Sequence, residues 1–523
     1  MIRKPASGHR LIFGYLGFFL ILIGAICLLP LLLLLLPKYQ SEAGCAFDFL
    51  IPGLTAIGGG IGLSFLIFKR DKMQLGKFQD CTLLVLIWFA AILVGAVPFL
   101  LRGVFTGNGA PMNFTAAIFE STSGYSSSGL TLFNFDDSLP GYHLFTMYRS
   151  LLLFFGGIGL VLIVTSALSD RYGLKLYTAE GHNDKLVPNL VKSARLILAI
   201  YAGYILLGTL SYFFIGGLSL FDAFNHSIAA VATGGFSTRA GGLPEIIEAG
   251  GVNQIGIPIH SVAINITSVV LMVLGATNFV LHLFLFTGKI KAIAKDLELR
   301  FFGIMTLIFV PLFFFAVLSR TKVDGSTVYT PVQALGEGTF LFFTSVTTTG
   351  FSAVYEVKQL GEAAIILSII MMCVGGGMGS TAGAIKQYRL ALAFKSFYWS
   401  LRDRLAPANK VYPHSIYRLG VDKEVQKDEV YESYGYIIIY IAALFTGTIL
   451  IVILGKGYIT GSDALFEFAS ALSGTGLSVG VTGFSTAINW VLIFGMFIGR
   501  LEILPVYFAF FRLARDILRK ETI

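Results

Sequence analysis

The sequence predicts an all-α polytopic membrane protein. Two extra N-terminal transmembrane helices precede four repeats of span, short pore helix and span around one pseudo-fourfold pore. Three observations carry this. Charged residues make up 13% of the 523 positions, about half the ~25% of a soluble globular chain. Apolar stretches near or above the ~20 residues that cross a bilayer recur along the whole chain. One hydroxyl- and glycine-rich unit returns four times at near-constant spacing. With 55% hydrophobic and 14% aromatic residues and a mean hydropathy of +0.78, the composition excludes a disordered chain, a secreted disulfide scaffold and an ordinary soluble enzyme. Cys27, Cys45, Cys81 and Cys373 form no metal-ligand spacing.

Ten spans are expected, at 11–36, 49–68, 82–101, 150–169, 196–221, 255–288, 301–319, 363–385, 434–454 and 490–511. The first follows Arg3, Lys4 and Arg10 as a signal peptide would. It is too long for a signal core and lacks a small-residue cleavage site, so it is read as retained. With the N-terminus inside, 29 of the 38 Lys and Arg fall on inside segments, nine of them between Lys386 and Lys427. The positive-inside rule then puts both termini in the cytoplasm. Topology accounts for the net charge of +8, with lipid as the surroundings and no nucleic-acid partner.

After alternate spans, on the outside, come segments too short to cross: 113–123, 221–232, 331–346 and 462–472. Each leads into a tract of small residues that ends on a Gly followed by Leu or Phe. The aligned glycines are Gly129, Gly235, Gly350 and Gly476. The repeats divide the chain into a two-span extension at 1–76 and pore repeats at 77–180, 181–295, 296–405 and 406–523. Non-helical backbone at membrane depth survives only where protein or a water-filled cavity satisfies it. Four such returns converging on an axis would aim backbone carbonyls at a dehydrated cation. Gly permits the φ that turns them inward, and small Ser and Thr side chains leave the axis open.

Two features below the tracts are gate candidates. Gly375, Gly376, Gly377, Gly379 and Gly383, with Ser380 and Thr381, interrupt the eighth span. Each Gly costs a helix about 1 kcal/mol relative to Ala, which points to a broken helix inside the bilayer. Close helix packing through small residues is the alternative. Arg500 lies in the last span, two residues before Glu502. An intramembrane Arg is costly and a functional candidate: near the axis it would repel a passing cation. A structural ion pair with Glu467 or Glu502 is the other reading. Arg149 reads as an anchor or interfacial residue, and His226 and His282 as satisfied helix-packing residues.

The four tracts resemble the filters of the Trk/Ktr/HKT superfamily of cation translocation subunits, and most closely its Trk branch. The resemblance extends to Tyr148-Arg149, Phe155-Gly156-Gly157-Ile158-Gly159, Asn278-Phe279, Gly379-Ser380-Thr381-Ala382-Gly383 and Gly499-Arg500-Leu501-Glu502-Ile503. It implies ion sites at Ser127, Ser128 and Gly129; Thr233, Gly234 and Gly235; Thr348, Thr349 and Gly350; and Gly474, Thr475 and Gly476. It also implies a flexible intramembrane gate loop, with Arg500 facing the pore beside it. The first tract has Ser where Thr is common, and the fourth, Gly-Thr-Gly-Leu-Ser, is closer to the Ktr branch. Gly129 stands where sodium-preferring plant relatives have Ser, which favours potassium. The resemblance further implies a homodimer and a separate cytosolic nucleotide-binding ring. The chain carries no nucleotide-binding motif of its own. Potassium is expected as cargo, with no covalently bound cofactor and no enzymatic activity, in the cytoplasmic (inner) membrane. A sodium or mixed-cation conduit, a potassium symporter and, more distantly, an organic-solute transporter are the alternatives.

Overall fold

The computed structural model describes residues 8–65, 79–102, 112–133, 139–160, 162, 190–320, 328–407, 410 and 412–518. The basic segments at 69–77 and 171–189 that enter the charge asymmetry lie outside them, as does nearly all of the expected span beyond 160.

Helices α1 (Gly8–Leu28) and α2 (Ala46–Ser64) form an N-terminal hairpin. It closes backbone to backbone, Gly17 on Gly60 and Gly24 on Gly53, where a Cβ would strike the opposing carbonyl. The first unit follows: α3 (Gln79–Arg102), the short α4 (Phe114–Tyr125) and α5 (Tyr142–Ile158). The second has α6 (Leu190–Phe214), α7 (Leu220–Val231), and α8 (Ser261–Gly275) continued by α9 (Phe279–Phe286). The third has α10 (Leu297–Leu318), α11 (Pro331–Val346), α12 (Glu362–Val374) and α13 (Gln387–Leu405). A two-stranded antiparallel hairpin, β1 (Ser415–Arg418) and β2 (Val421–Glu424), leads to the fourth. That unit comprises α14 (Lys427–Leu454), α15 (Gly461–Ser473), α16 (Thr486–Arg500) and α17 (Leu504–Leu518).

The chain is a multi-pass membrane protein. Among the described residues, six helices are long and apolar enough to cross a membrane, and eight if each bent pair counts as one. The sequence led us to expect ten, and the difference is local. The expected spans at 255–288 and 490–511 are not straight: α8–α9 bends by 107° and α16–α17 by 100°. At the first bend Asn278 starts a new helix by accepting the Val280 N–H at 2.8 Å. At the second, Glu502 takes a left-handed backbone with φ 53°. The expected span at 363–385 ends as a helix at Val374.

All four short helices begin on a side-chain cap. Asn113, Ser219, Thr330 and Thr460 each accept an N–H of the first turn, and Thr330 forms a capping box with Gln333. Each of these helices packs between the entry and exit helices of its own unit. The exit helix of each unit also packs against the short helix of the next: α5 on α7, α8 on α11, α12 on α15, and α16 back on α4. The four units therefore close into a ring.

Candidate functional site: four converging tracts and the loop beneath them

At the end of each short helix the backbone repeats one conformation. The residue two before the aligned Gly is left-handed: Ser127 (φ 55°), Thr233 (φ 49°), Thr348 (φ 52°) and Gly474 (φ 72°). The aligned glycines are also at positive φ: Gly129 at 86°, Gly235 at 66°, Gly350 at 86° and Gly476 at 95°. Two hydrogen bonds fix each turn, in the pattern of a Schellman cap. Ser128, Gly234, Thr349 and Thr475 donate their N–H to Ser123, Ala229, Thr344 and Ser470 at 2.9–3.0 Å. The residue before each donates to the carbonyl one residue further along the helix: Gly124, Ala230, Ser345 and Ala471. A left-handed L-residue costs roughly 1–2 kcal/mol. Three tracts carry that strain, and Gly474 relieves it in the fourth.

The four tracts meet in cyclic order. A Cβ on Gly129 would fall inside 3.0 Å of the Gly234 carbonyl oxygen; on Gly235, of that of Thr349; on Gly350, of that of Thr475; on Gly476, of that of Ser128. Thus each aligned Gly presses on the carbonyl just before the aligned Gly of the next tract, and the fourth closes on the first. No backbone N–H among the described residues donates to the carbonyls of Ser127, Ser128, Thr233, Gly234, Thr348, Thr349, Gly474 or Thr475. Buried carbonyls ordinarily find a donor. Eight in one ring, with no acidic side chain among them, are hard neutral oxygens of the kind that suits a dehydrated monovalent cation.

The glycine-rich segment lies directly below. From Gly375 to Lys386 the chain is a loop that bonds to the second and third units and abuts the fourth. Thr381 Oγ1 donates to the Gly275 carbonyl at 2.9 Å or that of Val231 at 3.0 Å, and Thr233 Oγ1 donates to Thr381 Oγ1 at 3.1 Å. The Gly383 N–H donates to Thr348 Oγ1 at 2.9 Å, and Gly383 abuts the Ser473 carbonyl. The break after α8 provides further anchorage: the unused Ala276 and Gly275 carbonyls accept the Gly377 and Thr381 N–H groups at 2.8 and 3.2 Å. Arg500, half-buried, donates to the Thr381 carbonyl at 3.3 Å, the Gly157 carbonyl at 3.0 Å and the Gly156 carbonyl. It ties the loop to the first unit. The two carboxylates named as its alternative partners make bonds of their own. Glu502 lies 2.7 Å from Arg389 and 3.2 Å from Lys386. Glu467 accepts from Ser478, Val479 and Thr482. Between tracts and loop remains a cavity of about 20 Å³ lined by Ser127, Thr381, Gly383, Gly474 and Arg500, room for about one water. The loop leaves no wider space beneath the tracts at this point.

The structure places the twelve tract residues named from the sequence together at the ends of the short helices, Gly375, Gly376, Gly377, Gly379, Ser380, Thr381 and Gly383 in the loop beneath, and Arg500 at the end of α16 beside that loop. Sequence reasoning missed the braces behind the ring. Nine residues before the aligned Gly stand Glu120, His226, Leu341 and Glu467. Glu120 accepts from Thr131 Oγ1 at 2.9 Å and the Leu132 N–H at 3.1 Å. Glu467 makes the equivalent bonds to Ser478 Oγ and the Val479 N–H, at 2.7 and 3.0 Å. His226 Nε2 lies 3.0 Å from Ser237 Oγ. Leu341 makes no such bond, and Ser352 instead ties back onto Val354. Arg149, buried, crosses from the first tract to the second: it pairs with Glu120 at 2.6 Å, donates to the Ser237 carbonyl and lies over Phe236 at 4.0 Å. Aligning the four units on their glycines would have exposed this polar column. Glu467→Ala strands four donors, each orphan costing about 1–3 kcal/mol. A clear fall in the unfolding temperature of the solubilised protein is expected, with exposed Glu424→Ala unchanged.

A TrkH family model, described as cation transport protein, matches residues 63–518. An uncharacterized cation transporter of Methanocaldococcus jannaschii is 26% identical over 98% of this chain and 96% of its own length. The Trk system potassium uptake protein TrkH of Escherichia coli is 27% identical over 96% of this chain and 98% of its own. The crystal structure of the potassium transporter TrkH from Vibrio parahaemolyticus matches with a TM-score of 0.76 at 24% identity, over 95% and 98% of the two chains.

Proposed function

The chain belongs to the TrkH family of cation transport proteins, and on that footing we propose that it carries potassium into the cell along the axis of the four tracts. The observation that carries the proposal is the closed ring in which each aligned Gly abuts the carbonyl of the next tract. In this reading Ser127, Ser128, Thr233, Gly234, Thr348, Thr349, Gly474 and Thr475 offer carbonyls in place of an ion's hydration shell. Gly129, Gly235, Gly350 and Gly476 let the tracts approach closely enough to do so. The four units are pore repeats at 77–180, 181–295, 296–405 and 406–523, behind an extension at 1–76. Both termini face the cytoplasm of the inner membrane.

The loop from Gly375 to Lys386 is the gate, and Arg500 its latch. Opening requires the loop to leave the cavity and Arg500 to swing aside. An inside-negative potential of 100 mV supplies about 2.3 kcal/mol per charge, enough for roughly fifty-fold accumulation without chemical coupling. Relatives carry the name of a Trk system, which fits a chain that works with a further subunit; in this reading that subunit is cytosolic, binds nucleotide and controls the gate, and the chain forms a homodimer.

The test is flux of K⁺, Rb⁺ and Na⁺ into proteoliposomes. Potassium and rubidium are expected to enter faster than sodium. Sodium flux equal to or above potassium would keep the conduit and overturn the cargo. No flux of any cation, with the regulatory subunit and its nucleotide supplied, would sink the conduit itself.

A further inference from the structure

One buried carboxylate joins the gate loop to the β-hairpin. Glu298, in the first turn of α10 and 3% exposed, accepts the Met378 N–H at 2.8 Å through Oε2. Its Oε1 is 3.2 Å from Arg418, the last residue of β1. Two residues earlier, Asp296 caps α10 through Oδ1 and accepts the Leu419 N–H through Oδ2, each at 2.9 Å. The contact is apolar as well. Met378 of the loop and Ile416 of β1 sit in one buried cluster with Tyr388, Leu392 and Trp399. Arg418 stacks over Tyr388 at 4.1 Å. The hairpin turn is the tight two-residue kind, with Leu419 at φ 48° and Gly420 at φ 86°. A left-handed Leu persists only where its surroundings hold it. The hairpin is therefore a stiff piece gripped at its turn by α10, while its second strand is exposed at Val421, Asp422 and Glu424.

We propose that the hairpin is the handle of the gate: Arg418 and Glu298 are positioning residues that hold the loop shut, and displacement of the hairpin releases Met378 and with it the loop. The proposal rests on reading the loop as a gate. Its direction follows from the loop filling the space beneath the tracts with the Glu298–Met378 bond made. Whatever breaks that bond weakens the closed state, and the equilibrium shifts towards open. The hairpin follows α13 on the face away from the tracts, which the topology places in the cytoplasm, where a soluble partner could push on it.

The test pairs two readouts on the full chain in liposomes: cation flux, and amide hydrogen exchange of the segment 375–386. Arg418→Ala is expected to speed exchange in that segment and to raise K⁺ flux roughly tenfold, the effect of taking about 1.4 kcal/mol from the closed state. The K⁺/Na⁺ ratio should not change. Arg418→Lys should restore part of the effect. Glu298→Gln, whose amide oxygen still caps Met378, should be milder, and combined with Arg418→Ala should add little. Asp422→Asn should match the wild type. Exchange in 375–386 unaltered by Arg418→Ala, or raised equally across the chain, would overturn the proposal. The exchange arm decides even if the wild type passes no ion, so failure of the conduit reading and failure of the handle are separable.

Discussion

Serine at Gly350 is expected to cut potassium flux by at least about a hundredfold, whereas serine at Gly474 leaves it close to wild type. Both glycines lie in the tracts and both have positive φ, at 86° and 72°. What separates them is what a side chain would meet. A Cβ at Gly350 runs into the Thr475 carbonyl, which is backbone and cannot turn aside without leaving the ring. A Cβ at Gly474 meets the Ser126 carbonyl at 3.6 Å and that of Ser127 at 4.0 Å, ordinary contact distances. Moreover, Gly474 occupies the position where the other tracts already carry Ser127, Thr233 and Thr348 in the same left-handed conformation. Gly474→Ser therefore takes on only the roughly 1–2 kcal/mol its neighbours already bear. Gly350→Ser adds a collision to strain of about 1–3 kcal/mol, and 2.7 kcal/mol is about a hundredfold. Rubidium uptake into proteoliposomes measures both, with Gly336→Ser, exposed and with nothing within 4 Å, as the neutral control. Equal loss at Gly350 and Gly474 would mean that the ring geometry does not set the flux.

Removing the Arg500 guanidinium should have the opposite sign. Arg500→Ala deletes the latch between Thr381 and the Gly156–Gly157 carbonyls and takes a positive charge from the wall of the cavity. A unit charge about 5 Å from a passing cation repels it by roughly 3 kcal/mol at an effective dielectric of about 20. Flux without any partner protein is expected to rise about ten- to a hundredfold. Arg500→Lys keeps the charge but not the planar fork, so it should fall between. Selectivity should not move, since no carbonyl of the ring is touched. Flux at or below wild type from a well-folded Arg500→Ala would end the gate reading of this residue.

Much of this was legible in the sequence because the repeat supplies its own comparison. Four aligned glycines mark where the backbone must turn, and five glycines between 375 and 383 mark where a helix cannot continue. The bends at Ala276–Asn278 and at Glu502 were not legible. The first lies in a charge-free apolar run, and the second depends on a left-handed Glu that is gripped by Lys386 and Arg389 from another unit. The braces escaped for a related reason. Glu120 and Glu467 are single acids in short helices, and their partners stand eleven residues on, a spacing that belongs to neither a helix nor a strand. The hairpin at 415–424 was hidden inside a basic stretch that topology alone explains.

The closing contact of the ring also dictates an order of events. Ser128 and Gly476 stand in the first and the last of the four tracts, yet each packs against the other. As the chain emerges from the ribosome, the first tract enters the bilayer with one neighbour still unmade, and α4 waits for α16 to cover it. Such late, long-range closure is where larger proteins stall. Premature truncation anywhere before the fourth unit would leave the first three as an open arc, its leading edge exposed and without the contact that holds Ser128 in place.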